Sequence, residues 1–512
     1  MATEERDPRR WWILGVLCFS LLLIVVDNTI VNVALPTLQR ELQATTNELQ
    51  WIVDAYILVF AGLLLTGGTL GDKFGRKGAL FIGLAIMGGA SALSAMADSA
   101  EQLIATRAVM GIGAALVMPA TLSILTNVFS NPVERGRAIA IWAGTAGMAV
   151  AIGPVTGGWL LEHFWWGSVF FVNLPVVIVA MLAGARLIPT SRDPHNPRLD
   201  GVGAALSVVA LVTLVWAIIE APDRGWLSGT TLGAFAVAAA LLVAFLRWER
   251  RVDQPMLDIG LFRNARFSAA STTITLIFFA MFGSFFLMTQ YMQFVLGYTA
   301  LEAGIRMLPM AAVMMVFAPT SARLVERFGT KGVVATGMAL AGLGLVLTSF
   351  LTPESTYLNL LATMAVMSAG MALTMAPATE SIMGSLPPAK AGVGSAVNDT
   401  TREVGGALGV AVLGSVMSSV YADNLPAGAP EAARESIGAA IAVAGQVGEV
   451  PGRALTTAAS YAFVDGIGVA LLIGAGVAVV GAVVAWFALP ARAHDFVEDD
   501  DDIAADVEPV LT

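Results

Sequence analysis

The alternation of apolar and polar positions divides the chain into fourteen apolar runs. They lie at 12–36, 51–70, 79–98, 102–126, 138–161, 168–189, 200–220, 230–247, 267–294, 303–322, 333–351, 357–384, 393–420 and 460–488. Each is close to or above the roughly 20 residues that a helix needs to cross a hydrocarbon layer of about 30 Å. In lipid, backbone polar groups must be satisfied within the segment itself, so runs of this length predict helices and an all-α membrane protein. The apolar patch Ile437–Val447 is too short to cross and is assigned to an external loop, 421–458, that reads as irregular.

A polar string between two runs returns later in the chain. Leu70-Gly71-Asp72-Lys73-Phe74-Gly75-Arg76-Lys77-Gly78 is echoed, 254 residues on, by Leu324-Val325-Glu326-Arg327-Phe328-Gly329-Thr330-Lys331-Gly332. Pro119–Ile124 is echoed by Pro377–Ile382 at nearly the same offset. Two echoes in step indicate a duplicated bundle. A six-helix half takes about 190 residues at this span density, so the longer offset implies two extra spans between the halves. The expected organisation is a first half over 1–190, an inserted pair with its linkers over 191–255, a second half over 256–490 and a tail over 491–512. Duplicated halves around a central cavity suit alternating access, with cargo bound near the midplane.

Composition agrees with the membrane assignment: 57% of residues are hydrophobic, 13% are charged and mean hydropathy is +0.77. Lys and Arg set the orientation. With the N-terminus in the cytoplasm, 21 of 28 fall in cytoplasmic segments, and an even number of spans returns the C-terminus there. The expected location is the inner membrane of a bacterial-type cell. The net charge of −10 is largely a tail effect, because eight carboxylates follow Pro490 against one Arg492, which reads as a solvated tail. The single cysteine, Cys18, lies in the first run and excludes a disulfide framework. Arg6–Arg10 before an apolar run imitates a signal peptide, but no small-residue cleavage pattern follows, so an uncleaved first helix is expected.

Several motifs resemble those of fourteen-span drug:proton antiporters of the major facilitator superfamily, the group typified by the EmrB and QacA exporters. They are Asp27-Asn-Thr-Ile-Val-Asn-Val-Ala-Leu-Pro36, Gln50-Trp-Ile-Val-Asp54-Ala-Tyr56, Gly68–Lys77 (similar to motif A), Arg107–Gly111 (motif B) and Gly153-Pro-Val-Thr-Gly-Gly158 (antiporter motif C). Met256–Phe262 and Gly394–Asp399 also match the group. The chain departs from it at Trp166-Gly167-Ser168, where relatives often carry Trp-Arg-Trp before Phe-x-x-Asn-x-Pro. The resemblance implies export of small hydrophobic, cationic drugs driven by the proton gradient, without a cofactor and without enzymatic chemistry.

Ionisable groups inside spans are costly and mark function. Asp27 and Arg107 fall at comparable depth, about 12 Å from the outer end at 1.5 Å per residue, and can form a pair that switches or a permanent one. Asp399, Arg402 and Glu403 share a helix face, so Arg402 neutralises one carboxylate and leaves one free for a proton or a cation. Asp27, Arg107, Asp399 and Glu403 are the proton-coupling candidates, the resemblance adding motif B's part in coupling. Gating candidates are Asp72, Arg76, Lys77, Arg137, Glu380 and Arg402. Gly71 and Gly75 are expected to make tight turns, with Asp72 capping a neighbouring helix. Gly153, Pro154 and Gly157 offer a small-residue surface for bending and close packing.

Cavity candidates are Asn28, Asn32, Asp54, Tyr56 and the stripe Met364, Met367, Met371 and Met375, with the cluster Phe278, Phe279, Phe282, Phe285 and Phe286 as a weaker one. Thioethers and aromatic faces suit varied hydrophobic cations, although both also serve plain packing. Asp54 and Tyr56 read as near the outer mouth, like Asp465.

Other functions fit less well. A specific metabolite or an endogenous antibiotic is an alternative cargo for the same fold. His163, His195 and His494 lie in or beside loops, no H-E-x-x-H occurs, and no phosphate-binding G-x-x-x-x-G-K-[ST] is present, which disfavours an intramembrane enzyme or an ATP-driven pump. A channel or sensor lacks a distinct sensory domain. The short basic loops do not suit nucleic acid, and a monomer in the lipid bilayer is expected.

Overall fold

The computed structural model describes residues 8–129, 131–192, 199–386 and 391–490. Lys390 and the acidic tail 491–512 lie outside them. Among the described residues the structure is helical throughout, without strands. The first half comprises α1 (Arg10–Leu42), α2 (Thr46–Phe74), α3 (Arg76–Ala95), α4 (Ala100–Val128), α5 (Pro132–His163), and the short α6 (Ser168–Phe171) running into α7 (Asn173–Leu187). The insert comprises α8 (Gly201–Ile219), a single turn α9 (Ala221–Arg224) and α10 (Gly229–Glu249). The second half comprises α11 (Ala265–Gln290), α12 (Ala300–Thr348), α13 (Tyr357–Gly384), α14 (Ala391–Asn424), α15 (Glu431–Glu435), α16 (Ile437–Ala444) and α17 (Glu449–Ala488).

Among the described residues, thirteen helical segments are long and apolar enough to cross a membrane. One of them counts twice. α12 has 49 residues and would measure about 74 Å if straight, more than two hydrocarbon cores. Gly329, at φ 79 and ψ 158, breaks its helical conformation. Segments 300–328 and 330–348 are therefore separate crossings, and the fourteen expected runs are all present. Gly329 is the repeat partner of Gly75, which has φ 119 at the corner between α2 and α3. A side chain is strained at either position, so each copy of the repeated string turns on its glycine.

Two expectations are corrected here. The segment 421–458 is not irregular: α14 runs on to Asn424, α15 and α16 follow, and α17 starts at Glu449, eleven residues before the predicted run at 460. Ser436 caps α16 by accepting from Ala439 N at 3.1 Å, and polar residues at its ends let this short apolar helix lie in the loop. Gly71 is not a turn residue either. It sits within α2 and faces the Ala79 Cβ across the corner.

Small residues set the packing within each half, as expected where lipid removes the hydrophobic drive between helices. A Cβ on Gly111 of α4 would stand 2.6 Å from the Tyr56 carbonyl of α2, and one on Gly344 of α12 would stand 2.5 Å from Met367 N of α13. The insert rides on the first half: Ser207 Oγ of α8 donates to the Gly62 carbonyl of α2 at 3.2 Å, and Gly62 faces Val208.

The halves meet at the end of the bundle opposite the basic strings. There Gln50 Nε2 of α2 donates to the carbonyls of Val410 (3.0 Å) and Ala411 (2.9 Å) on α14. Gln293 Nε2 donates to Val33 O of α1 at 2.9 Å, and Thr46 Oγ1 donates to Glu435 O at 3.1 Å. α5 crosses α12 there through Gly158 against Ala300 and Leu301, and through Pro154 against Gly304. Toward the basic end Gly144 and Gly147 of α5 face open space, and Met315, Val316 and Phe328 of α12 are exposed. One end is sealed while α5 and α12 part toward the other.

Candidate functional site

The expected pair between α1 and α4 is formed. Arg107 Nη1 donates to Asp27 Oδ2 at 2.5 Å, with both side chains fully buried. Asn173 Nδ2 of α7 donates to the other oxygen, Oδ1, at 2.8 Å and also lies 3.0 Å from Ser91 Oγ of α3, which itself donates to Phe170 O at 2.8 Å. Arg107 Nε donates to Ile52 O of α2 at 3.0 Å, and its guanidinium lies over the Tyr56 ring at 4.4 Å. Arg107 Nη2 and the Tyr56 hydroxyl are buried without a partner. Five helices thus converge on one ion pair. Desolvating two charges is offset only when their remaining donors and acceptors are also met; Asp27 meets that condition at both oxygens.

Asp54 is corrected in position. It is not interfacial: α2 begins at Thr46, where Thr45 and Glu48 form a capping box, so Asp54 lies two turns inside the helix and is fully buried. Neither of its carboxylate oxygens has a hydrogen-bond partner. It lies one helical turn below Gln50, on the face that meets α14. Tyr56 is also fully buried.

In the second half Asp399 Oδ1 stands 3.7 Å from Arg402 Nη1, a loose pair. Arg402 Nη2 donates to Thr379 Oγ1 of α13 at 3.1 Å, and its guanidinium sits 5.4 Å from the Phe278 ring of α11. Arg402 Nε and Glu403 Oε2 have no partner. The guanidinium therefore contacts Asp399 and Thr379, while Glu403 of the same face keeps its Oε2 buried without a hydrogen bond.

Arg107 in motif-B position, Gly153-Pro154 within α5 and the paired basic corners match one known architecture: the sequence profile of the Major Facilitator Superfamily fits residues 17–410. The chain belongs to the major facilitator superfamily. It is 38% identical over 491 residues to the multidrug efflux pump LfrA of Mycolicibacterium smegmatis, covering 94% of this chain and 97% of LfrA. It is 35% identical to the methyl viologen resistance protein SmvA of Salmonella typhimurium, covering 94% and 98%. Against the tetracenomycin C resistance and export protein of Streptomyces glaucescens the identity is 34%, covering 94% and 91%. Among solved structures, a bacterial homologue of the human lysosomal transporter Spinster, inward-facing and occupied, aligns with TM-score 0.68 at 17% identity over 96% of this chain and 98% of that one. These findings make the protein a multi-span bacterial membrane transporter related to drug and antibiotic exporters.

The motif-A corner of this superfamily member carries its charges differently from expectation. Asp72 does not cap a neighbouring helix; its Oδ1 accepts from Arg76 Nε at 2.7 Å across the corner. Arg76 Nη1 reaches Ser123 O of α4 at 3.4 Å. Lys77 Nζ donates to Ala185 O (2.9 Å) and Ile188 O (2.7 Å), closing the C-terminal end of α7, where a cation is favoured. Arg137 is exposed on α5. Glu380 is exposed near the basic end of α13, within electrostatic reach of Arg266.

The antiporter-motif glycines divide their work. Gly153 and Gly157 face Thr29 and Ile30 of α1, within the first half, whereas Pro154 and Gly158 face α12 of the second. Asn28 and Asn32 are almost buried on α1, Asn32 Nδ2 donating to Asn28 O at 3.0 Å, and Asn28 Oδ1 is unpartnered. The methionine stripe is corrected. Met364, Met367 and Met371 are buried by packing, Met367 lying against Gly344 and 3.6 Å from Ser284 Oγ; only Met375 of the four is half-buried. In the phenylalanine cluster Phe286 is fully buried, while Phe282 packs on Gly406 and stacks with Phe278 at 6.0 Å. Asp465 is exposed, as expected, with Asn424 Nδ2 at 3.4 Å. Asn173 was not foreseen as a site residue, although the Phe170-x-x-Asn-x-Pro175 string held it in view.

Proposed function

We propose that this transporter is a proton-coupled antiporter that exports hydrophobic organic cations by alternating access, with its basic end and both termini in the cytoplasm. The observation that carries the reading is Asp54, a carboxylate fully buried in the first half with neither oxygen partnered. An unpaired charge is expensive at that depth, so the group has a proton or a cationic cargo as its natural partner. Glu403 supplies a second acid from the opposite half, its Oε2 buried without a hydrogen bond. Asp27, held by Arg107 and Asn173, serves as the switch: moving Arg107 releases a carboxylate that then takes up a proton. Asp399 and Arg402 supply the corresponding pair in the second half. A sealed outer end and a parting inner end describe the loading state of an exporter.

The test is dye exchange in everted vesicles, with ethidium or a quaternary ammonium as cargo and a pH-sensitive probe. Cargo-driven proton movement is expected in wild type and is lost in Asp27→Asn, Asp54→Asn and Glu403→Gln. Unchanged coupling in all three variants would refute the assignment of these acids. Cargo movement without any proton flux would instead indicate a uniporter or a different coupling ion.

A further inference from the structure

We propose a binding site for one small organic cation at the sealed end, in the seam between the two halves, with the Trp226 ring as its wall. A cavity of about 190 Å³ lies there. Its walls come from three parts of the chain: Asn47 at the start of α2, Asp223 and Trp226 on the outer turn of the insert, and Asp423 with Glu435 beside α14 and α15.

The chemistry favours a cation. Asp223, Asp423 and Glu435 outnumber the one guanidinium that lines the cavity, that of Arg434, whose Nη1 and Nη2 donate to Ala422 O at 2.8 Å and Pro426 O at 2.7 Å. Arg224, on the same turn as Asp223, is also engaged elsewhere. Its Nε donates to Glu220 Oε2 at 3.0 Å, and its guanidinium lies 5.2 Å from the Trp216 ring. Two groups are fixed in advance for a ligand. Asn47 Nδ2 holds the Asp223 carboxylate at 2.7 Å, and Trp226 Nε1 donates to Ser419 Oγ at 3.2 Å, which fixes the indole by its edge. A fixed aromatic ring beside a fixed carboxylate suits a quaternary ammonium group.

The site also depends on the conformational state. The insert docks on α2 through Ser207 and Gly62, and Asp223 is bonded to Asn47 of α2, whereas Ser419, which holds Trp226, and Asp423 and Glu435 belong to the second half. Opening the sealed end separates these walls. A cation bound here holds that end shut and blocks turnover from the outside without competing with cargo in the centre. Burial, reinforced by Glu220, raises the Asp223 carboxyl above the ordinary aspartate range while Asn47 and Arg224 oppose the rise, so acidification discharges this wall earlier than a free aspartate would.

The probe is benzyltrimethylammonium, titrated calorimetrically into the purified full-length protein in detergent. A saturable component that persists when the central acid is substituted is expected. Trp226→Ala and Asp223→Asn each weaken it at least tenfold, and lowering the pH weakens it progressively. Trp226→Phe retains binding, because it keeps the ring and loses only the bond to Ser419; this separates the cation wall from a general loss of structure. Asp54→Asn also retains binding, because the central acid is not part of the site. The proposal is overturned if wild type shows no saturable binding, if Trp226→Ala and Asp223→Asn bind as wild type does, or if Asp54→Asn abolishes binding and so places the cation in the centre. Proton–cargo exchange is measured separately in vesicles, so the failure of this site and the failure of the export reading are distinguishable.

Discussion

The crossing of α5 and α12 offers a direct way to bias the conformational equilibrium. A Cβ on Gly158 would meet the backbone of α12, 2.6 Å from Ala300 O and 2.7 Å from Leu301 N, and Leu301 Cα is closer still. Backbone atoms cannot rotate aside, so Gly158→Ala forces the helices apart at a cost of about 1–3 kcal/mol for overpacking. The contact joins opposite halves and exists only while this end is closed. The cost therefore falls on one state, and the ratio of open to closed should rise about 5- to 150-fold. Gly157→Ala is the control. Its Cβ would lie 2.5 Å from Ile30 Cγ1 of α1, inside the first half, so any strain is carried by both states alike. The assay is double electron–electron resonance in a Cys18→Ser background, with spin labels at Glu41 of α1 and Arg453 of α17, both exposed near the sealed end. Gly158→Ala should shift the distance distribution toward longer separations, and Gly157→Ala should leave it in place. Equal shifts in both variants, or none in Gly158→Ala, would refute the assignment of this crossing as the seal. Gly304→Ala, whose Cβ would strike the Pro154 carbonyl from the other side of the same crossing, should add less than its own full effect when combined with Gly158→Ala.

Further outcomes follow from the buried charges and the basic corner. Arg107→Ala leaves Asp27 buried with Asn173 as its only remaining partner, so it should cost about 3–5 kcal/mol in stability; thermal melting of the purified protein checks this, and the loss should shrink when Asp27→Asn is combined with it. Lys77→Gln removes two bonds to the end of α7 and should cost about 1 kcal/mol, whereas Arg137→Gln, at an exposed position, should stay within about 0.5 kcal/mol of wild type. Equal melting temperatures for those two variants would argue against the capping role of Lys77.

Fourteen crossings and the repeat were legible because bilayer thickness imposes a length on every span, and duplication leaves the same string at two corners. The Asp27–Arg107 pair was legible for the same reason: depth along a helix follows from residue count. The misplacement of Asp54 has a simple origin. The apolar run starts at Trp51, but the helix starts at Thr46, because the polar Thr45-x-x-Glu48 box satisfies the first free N–H groups. Reading that box would have moved Asp54 from the mouth to the interior. The methionine stripe fails differently. A face at helical spacing says that residues look one way and not what they look at; Gly344 of α12 lets Met367 pack closely, and Met364 and Met371 are buried with it. Asn173 carries no charge to attract attention, and its value lies in the second oxygen of Asp27, a three-dimensional fact.

The two copies of the basic string show how a duplicated element acquires unequal roles. In the first, Asp72 and Arg76 bridge the corner, and Lys77 fastens it to the end of α7. In the second, Thr330 is buried where Arg76 would repeat, so no guanidinium is available to Glu326 from that position. Lys331 instead lies 4.9 Å from the Trp486 ring of α17, a weaker and less directional hold. Both corners break the helix at their glycine, Gly75 between α2 and α3 and Gly329 between segments 300–328 and 330–348. The same glycine therefore turns both halves, while among the described residues ionic fastening is found at one corner. A lock that must open and close in each cycle needs a contact that can be broken and remade as a unit. Among the described residues, the first corner has such an ion pair, Asp72–Arg76, and the second has none.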